Sequence, residues 1–148
     1  MSIIFSKKCE YGIQAILFLS AEVESQICSA DEISKKLLIP KEFVSKILQE
    51  LTTSGIVDSK KGKSGGFFLS KPISEIRLID VVTAIDGFDI FNKCVLGFSN
   101  CSSDSPCPVH NTWAKLSKET VQMLSEATLD EFLETTKRKL SSIGDVKN

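Results

Sequence analysis

Apolar positions in the first 55 residues recur with the period of α-helices. From about Ser6 to Glu24 they return every three or four residues, which predicts a first helix. Ser29, followed three residues later by Glu32, forms a capping box that predicts the start of a short second helix. The residues expected on its buried side are Ile33, Leu37 and Leu38. A third helix is predicted from a broad apolar stripe, which consists of Phe43, Val44, Ile47, Leu48 and Leu51.

The period then changes from helical to strand-like. Residues 56–59 predict a short strand, and residues 67–69 predict a strand that returns beside it. Between them, residues 60–66 contain three lysines, three glycines and one serine, which is typical of a turn. Two short helices joined by a tight turn and followed by a basic β-hairpin indicate a winged helix-turn-helix.

The second half of the chain begins with a predicted helix from about Glu75 to Ile85 and then becomes irregular over residues 92–111. An irregular stretch of this length in a compact domain usually has a functional reason. From about Pro108 the apolar spacing of four and three residues is typical of a coiled-coil seam. We therefore expect a dimer interface formed by Val109, Trp113, Leu116, Thr120, Met123, Leu124 and Ala127. A second capping box, Thr128 with Glu131, predicts a last helix that ends near Leu140.

The composition places this pattern in one globular protein. The chain has 148 residues, of which 42% are hydrophobic and 25% charged, so a disordered or collagen-like chain is excluded. The longest uninterrupted apolar run, residues 15–19, is much shorter than the about 18–20 residues that a membrane span needs. No secretory signal is recognisable, and we expect a cytoplasmic protein with no membrane partner.

The formal net charge of −1 conceals an asymmetry along the chain. Residues 1–72 carry a charge of +2, whereas residues 73–148 carry −3. Within the first part, residues 35–71 contain eight lysines against three acidic residues. Such a concentration of lysines is a candidate surface for binding the phosphate backbone of a nucleic acid. The alternative is that these lysines only form the solvated face of the helices.

Three of the five cysteines lie in the irregular stretch beside the only histidine, and the four residues are Cys94, Cys101, Cys107 and His110. Thiolates and imidazole are ligands of iron–sulfur clusters and of zinc, but these spacings are too wide for a zinc ribbon. The alternative is three unrelated cysteines in an irregular loop. Cys9 and Cys28 stand apart, and we expect both to be small packing residues. Since no catalytic constellation competes, we do not expect an enzyme.

Several segments together are characteristic of one family: residues 5–11, 54–57, the wing 61–67, residues 79–87, and residues 107–113 after two further cysteines. Through them the chain resembles bacterial winged-helix regulators of the Rrf-two type, a family that includes the iron–sulfur-cluster regulator IscR and the nitric-oxide sensor NsrR. The resemblance extends from about Phe5 to Leu133.

The resemblance implies a homodimer that binds a pseudo-palindromic operator in double-stranded DNA, with the third helix in the major groove and the wing in the minor groove. The helix residues implied to contact DNA are Lys41, Glu42, Ser45 and Lys46, and those of the wing are Lys60, Lys61 and Lys63. Lysines neutralise phosphates, whereas Glu42 and Ser45 can read base edges. Glu42 has an alternative role as the ion-pair partner of Lys46. Many relatives have arginine at the position of Lys61, so a looser reading of the minor groove is expected here.

The resemblance also implies that an iron–sulfur cluster held by the cysteine loop controls operator binding. A 2Fe–2S cluster is expected, with a 4Fe–4S cluster as the alternative, because six residues separate Cys94 from Cys101 where relatives usually have five. The fourth ligand is His110 in one branch of the family. In another branch the partner subunit supplies a carboxylate near the position of Glu10.

Two other hypotheses remain open at this point. In one, the same fold uses the loop thiols as a redox or small-molecule switch without a cluster. In the other, the chain is a zinc-stabilised protein-interaction module that does not bind DNA. The leading hypothesis divides the chain into a DNA-binding winged helix-turn-helix (residues 1–88), a cluster-binding loop (residues 89–108) and a helical dimerisation element (residues 109–148).

Overall fold

The computed structural model describes residues 4–22 and 27–143. Within these ranges the chain is mostly helical and carries a single two-stranded antiparallel hairpin, as the sequence predicts. In chain order the elements are α1 (Lys7–Ala21), α2 (Ala30–Leu37), α3 (Lys41–Thr53), β1 (Val57–Lys60), β2 (Gly66–Leu69), α4 (Leu78–Asp86), α5 (His110–Glu126) and α6 (Leu133–Ser141). Short 3-10 turns occupy Ile73–Glu75, Phe88–Phe91 and Leu129–Phe132. The predicted end of the first helix, residues 23 and 24, lies outside the described ranges.

Helices α2 and α3 form the predicted helix-turn-helix. The Ser29 hydroxyl accepts a hydrogen bond from the Glu32 backbone N–H at 3.1 Å, which caps the start of α2 as the sequence predicts. Leu38 ends α2 in the left-handed conformation, with φ of 58°. This turn points Leu38 into solvent, so the expectation that it is buried is wrong.

The apolar stripe of α3 is narrower than the sequence suggests. Four of its members are buried, namely Val44, Ile47, Leu48 and Leu51. Phe43 is 47% exposed, so its prediction as a buried residue is wrong. Because a helix turns by about 100° per residue, Phe43 lies at the edge of the stripe, where it contacts the ring of Tyr11 instead of the core.

The wing is an antiparallel hairpin in which β1 pairs with β2 and Lys60 lies opposite Gly66. Cys28 extends this sheet, because its backbone exchanges two hydrogen bonds with Phe67, of 3.0 and 2.7 Å. A Cβ atom at position 66 would lie 2.5 Å from the carbonyl oxygen of Cys28. Only glycine therefore lets the chain before α2 approach the hairpin this closely.

Helix α1 packs tightly against α4. A Cβ atom on Gly12 would lie 2.1 Å from Cδ1 of Ile85, so the small residue sets the distance between the two helices. At one end of this contact Ser6 donates its backbone N–H (2.8 Å) and its hydroxyl (2.5 Å) to the carboxylate of Asp86. The start of α1 is thus attached to the end of α4, directly before the irregular stretch.

The described residues contain two hydrophobic clusters, of which the larger joins α1, α2, α3, the wing and α4. The smaller cluster lies between α1, α4 and α5, and its buried members are Cys9, Val82, Phe91 and Leu124. Cys9 and Cys28 are both buried, which confirms that they are packing residues. Burial, with nearby carboxylates, raises the pKa of Cys9 to about 12 and that of Cys28 to about 11.

The C-terminal segment folds back on α1. Leu129 is fully buried in the larger cluster, and its backbone N–H donates to the carbonyl of Ile76 at 2.9 Å. The predicted capping box is present, since the Thr128 N–H donates to the Glu131 carboxylate at 2.8 Å. Helix α6 therefore shares a core with α1. Among the described helices, none is long and apolar enough to span a membrane.

Candidate functional site

The cysteine loop, residues 92–109, connects the turn after α4 to the first residue of α5. It contains no helix or strand, as predicted, and is shaped by local turns. Gly97 donates its N–H to the carbonyl of Cys94 at 3.0 Å, and His110 donates its N–H to the carbonyl of Cys107 at 3.1 Å. These turns fix the backbone beside two of the predicted ligands.

The structure brings the three predicted cysteine ligands together, and His110 lies beside one of them. The three cysteine sulfur atoms lie within 4.8 Å of one another. The Sγ atoms of Cys94 and Cys107 are 3.6 Å apart, and the Cys101 Sγ is 3.1 Å from Nδ1 of His110. Three half-buried thiols and an imidazole at these distances form a donor set that can bind a metal.

The protonation of the loop thiols is uneven. Desolvation raises the pKa of Cys94, but hydrogen bonds from the backbone N–H groups of Phe98 and Leu96 act in the opposite direction. Together with hydrogen bonds from the neighbouring thiols, they lower the pKa of Cys94 to about 7. Desolvation, followed by the hydrogen bonds with Cys94 and Cys101, raises the pKa of Cys107. Cys94 is therefore the more easily ionised of these two thiols, and the thiolate is the form that binds metals.

Two side chains of α5 hold the segment that leads into Cys94. The Trp113 indole N–H donates to the carbonyl of Lys93 at 2.9 Å, and the Ser117 hydroxyl donates to the carbonyl of Phe91 at 2.5 Å. The heptad spacing predicts Trp113 in the dimer seam, and that pattern did not single out Ser117. The spacing from His110 could have indicated that both residues face the cysteine loop. Trp113 and Ser117 follow His110 by three and seven residues, so the three side chains share one face of the helix.

A cleft of about 350 Å³ opens beside the thiols. Its walls combine aromatic side chains, two lysines and three of the candidate ligands, and the principal lining residues are Phe88, Lys93, Cys94, Cys101, His110 and Lys118. A small molecule from solvent can therefore reach the ligand set from this side. Glu10 lies on α1, where its carboxylate is 3.7 Å from Nζ of Lys7.

The predicted DNA-contacting residues lie on the surface. On α3 the exposed members are Lys41, Glu42 and Lys46, while Ser45 is half-buried. On the wing Lys60, Lys61 and Lys63 are exposed. In residues 4–22 and 27–143 the ion pairs are Lys7–Glu10, Lys8–Glu50 and Lys35–Asp31. Glu42 is thus not paired with Lys46 in this part of the chain, and its carboxylate is open to solvent.

The predicted dimer seam divides into three groups. Val109, Leu116 and Met123, spaced seven residues apart, are 36%, 49% and 61% exposed. The half-buried members are Trp113, Thr120 and Ala127. Leu124 is 3% exposed because it packs in the smaller hydrophobic cluster of its own chain. The large apolar residues that remain exposed along α5 and at its N-cap are therefore Val109, Leu116 and Met123, at heptad spacing.

Comparison with known proteins identifies this arrangement. Residues 5–135 match the profile of the Rrf2 family, described as an iron-dependent transcriptional regulator. The chain belongs to the Rrf2 family. A relative from Aquifex aeolicus is 29% identical over 139 residues, which cover 93% of this chain and 96% of the relative. A relative from Haemophilus influenzae is 27% identical over 143 residues, or 97% and 95% of the two chains. Both are named as HTH-type transcriptional regulators.

Solved structures share the fold. CymR, the global cysteine regulator of B. subtilis, superposes with a TM-score of 0.73 at 17% identity, covering 88% of this chain and 96% of its own. IscR from T. potens gives a TM-score of 0.68 at 22% identity, covering 88% and 85%. At these identities the likeness concerns the fold alone.

Membership of the Rrf2 family confirms the predicted winged-helix fold. It also confirms that the protein is a DNA-binding transcriptional regulator and not an enzyme, because the family and its named relatives are regulators. The three clustered cysteines give this regulator a site that can hold a metal.

Proposed function

We propose that this Rrf2 protein is a homodimeric regulator whose operator binding is controlled by an iron–sulfur cluster. The observation that carries the proposal is the meeting of three thiols and an imidazole in the loop between α4 and α5. The ligands in the proposal are Cys94, Cys101, Cys107 and His110. When bound, the cluster supplies a centre that oxidants or nitric oxide can alter.

The donor set favours a 2Fe–2S cluster. Two thiolates on one tetrahedral metal, with bonds of about 2.3 Å, stand about 3.8 Å apart. The 3.6 Å between the Sγ atoms of Cys94 and Cys107 is close to that separation. Cys101 lies near both other thiols and 3.1 Å from Nδ1 of His110, so a histidine stands beside the three cysteines as a fourth ligand of the kind that some 2Fe–2S centres use. We favour His110 over the partner's Glu10 as the fourth ligand because it already lies beside Cys101.

On the DNA side, we propose that α3 enters the major groove and the wing follows the minor groove. The charged ends of Lys41, Lys46 and Lys61 neutralise phosphates. Glu42, which has no ion-pair partner in the described ranges, accepts a hydrogen bond from a cytosine amine. Ser45 contacts a neighbouring base edge, and Lys60 and Lys63 add to the charge of the wing.

We propose that the exposed stripe of α5 pairs with the same stripe of a second copy. Val109, Leu116 and Met123 repeat at the heptad interval, which is the spacing that coiled-coil contacts use. In the proposed dimer a twofold axis relates the two α3 helices, and a pseudo-palindromic operator matches this symmetry. In this arrangement residues 109–148 contribute both the dimer contact and, through α6, part of the core around α1.

The cysteine loop is in a position to couple the two functions. It begins after α4, which is attached to α1 through Asp86 and Ser6, and it ends at His110, the first residue of α5. Four ligations order this loop, and their loss releases it. We propose that this change alters the separation of the two α3 helices in the dimer.

Anaerobic purification tests the cluster. We expect a coloured protein that contains iron and acid-labile sulfide, and we expect Cys101→Ala to lose both while Cys28→Ala, a buried cysteine outside the loop, retains them. Zinc without sulfide would indicate a single-ion site in place of a cluster. A colourless protein after reconstitution with iron and sulfide would contradict the cluster.

Selection from random duplexes tests the DNA role. We expect a recovered sequence with twofold symmetry, bound with different affinities by the loaded and the metal-free protein. Equal affinities would contradict control by the cluster, and failure to recover any duplex would contradict the proposed operator binding.

A second candidate mechanism is a thiol switch without a cluster, and the 3.6 Å between the Sγ atoms of Cys94 and Cys107 favours it. A peroxide can oxidise the two thiols to one disulfide, with loss of two hydrogens, while the peroxide is reduced to water. Mass spectrometry of peroxide-treated, metal-free protein would show a Cys94–Cys107 peptide if this mechanism operates. Absence of this peptide after treatment would exclude it.

A further inference from the structure

We infer that Phe43 reads the methyl group of a thymine in the major groove. The inference rests on the proposed operator binding by α3 and adds a base preference to it. Phe43 is the third residue of α3, and the N-terminal residues of a recognition helix are those that contact base edges. It is also the large apolar residue of α3 that is exposed, at 47%.

The ring of Phe43 is not a member of either hydrophobic cluster. The face of α3 that packs against the rest of the chain is supplied by Val44, Ile47, Leu48 and Leu51. Phe43 instead borders a shallow surface groove together with Lys8, Lys46, Gln49, Glu50 and Thr53. An apolar ring among these polar side chains gives the recognition helix a contact that hydrogen-bonding residues cannot make.

The ring of Phe43 has an aromatic neighbour on α1 that favours one orientation of it. Its neighbour Tyr11 meets it edge-on, with centroids 5.8 Å apart and planes at 71°. Tyr11 in turn lies under the Lys7 ammonium, 5.2 Å from the ring centroid. On the same side of α3, a 2.9 Å ion pair joins Lys8 of α1 to Glu50 of α3. Because Tyr11 favours one orientation of Phe43, binding costs less side-chain entropy.

The chemistry of the DNA major groove then selects the base that Phe43 contacts. A phenyl ring has no hydrogen-bond donor or acceptor, and the C5 methyl of thymine is the apolar group on the base edges of the major groove. The ammonium groups of Lys41 and Lys46, two residues before and three residues after Phe43, are placed to hold the phosphates on either side. Phe43 therefore discriminates thymine from cytosine, which has no such methyl.

Replacement of thymine by uracil in a selected duplex tests the inference, because it removes only the methyl group. For the wild-type protein we expect one thymine per half-site at which uracil weakens binding about fourfold, the effect of one buried methyl group, and roughly 15-fold when both half-sites are changed. For Phe43→Ala we expect no further loss at that position. Phe43→Leu, which keeps an apolar side chain, is expected to retain part of the sensitivity.

Thr53→Ala is the matched control, since Thr53 borders the same groove at the other end of α3. It is expected to keep the wild-type response to uracil. Circular dichroism melting of each variant shows whether it is folded. The inference is overturned if no thymine is sensitive, or if folded Phe43→Ala keeps the full uracil effect. Recovery of no duplex by the wild-type protein would instead contradict the proposed operator binding.

Discussion

Trp113 contacts the cysteine loop of its own chain, although the heptad spacing predicts it in a dimer interface. Its indole N–H is bonded to the carbonyl of Lys93, so the ring faces the cysteine loop of its own chain. Ser117 makes the equivalent bond to Phe91 one turn later. Helix α5 therefore contacts the cysteine loop twice, through His110 beside Cys101 and through the two bonds to the backbone that leads to Cys94. Such supporting hydrogen bonds orient ligands and hold a metal in place.

Trp113→Phe is expected to shorten the lifetime of the bound cluster by roughly fivefold, because a hydrogen bond of about 1 kcal/mol is lost while the aromatic packing is kept. The measurement is the decay of cluster absorbance in the presence of an iron chelator. Gln122→Ala, a change on the exposed face of α5, is the control and should leave the decay unchanged. An unchanged decay in Trp113→Phe would show that the indole N–H does not support the site.

Alkylation of folded, metal-free protein near pH 8 is expected to label the three loop cysteines and spare the two buried ones. The pKa values of Cys9 and Cys28, about 12 and about 11, leave almost no thiolate at this pH, and both side chains are buried. Mass spectrometry counts the labels. Denaturant should expose both remaining thiols, and rapid labelling of Cys9 or Cys28 without denaturant would contradict the described packing.

At the scale of elements, the wing depends on a contact with a residue far from it in sequence. Cys28 lies before α2, yet it is hydrogen-bonded to Phe67 in β2 and leaves no space for a side chain at Gly66. The basic turn of the wing thus projects from a three-segment sheet that is anchored on the helix-turn-helix. This anchoring holds the lysines of the wing in a fixed position relative to α3.

Gly66→Ala is expected to destabilise the protein by about 1–3 kcal/mol, because the added methyl group overlaps the Cys28 carbonyl and the strands must move apart. Chemical denaturation measures the free energy of unfolding. Ser64→Ala, in the exposed turn of the same hairpin, serves as the comparison and should cost little. Equal stability of the two variants would contradict the close approach at Cys28.

Lys61→Ala is expected to reduce the salt dependence of DNA binding by about one unit of slope per subunit in a plot of log Kd against log salt concentration, since one phosphate contact is lost. Fluorescence anisotropy with a selected duplex at several salt concentrations provides the slope. Lys137→Ala, an exposed lysine on α6, removes the same charge away from the wing and should leave the slope unchanged. A slope that also stays unchanged in Lys61→Ala would remove the wing from the proposed interface.

At the scale of the whole molecule, the larger hydrophobic cluster stabilises the DNA-binding fold, and the smaller one attaches α5 to it. The cysteine loop lies beside the smaller cluster, which contains Phe91 and Leu124. Because Leu124 faces inward, α5 can present a different face, that of Val109, Leu116 and Met123, to a second copy without disturbing its own core.

The double variant Leu116→Glu with Met123→Glu is expected to convert a dimer into a monomer, because charges opposed across an apolar seam are costly to bury. Light scattering coupled to size-exclusion chromatography gives the mass. Gln122→Glu adds a charge at an exposed position of α5 about 100° around the helix from Met123, and it should remain dimeric. A double variant that keeps the dimer mass would show that the seam lies elsewhere.

The sequence by itself was sufficient for much of the fold. The buried apolar positions of α3, the Ser29 N-cap of α2, the Thr128–Glu131 capping box and the glycine-rich turn of the wing are local patterns, and local patterns need no knowledge of distant residues. The three clustered cysteines and the histidine beside Cys101 could also be named from the sequence as candidate ligands, because few residue types bind metals and the chain has a single histidine.

The tertiary structure decided which face each residue presents. Phe43 is apolar like its buried neighbours, but it lies at the edge of the buried face of α3, where it contacts Tyr11 of α1 and remains half exposed. Trp113 and Leu124 fit a heptad, yet the loop before α5 and the core below it turn both toward their own chain. Cys28 and Gly66, 38 positions apart in the sequence, meet because the hairpin folds back over the start of α2. Periodicity identifies a helix and its apolar residues, but contacts between distant segments determine whether an apolar residue faces the core, a partner or DNA.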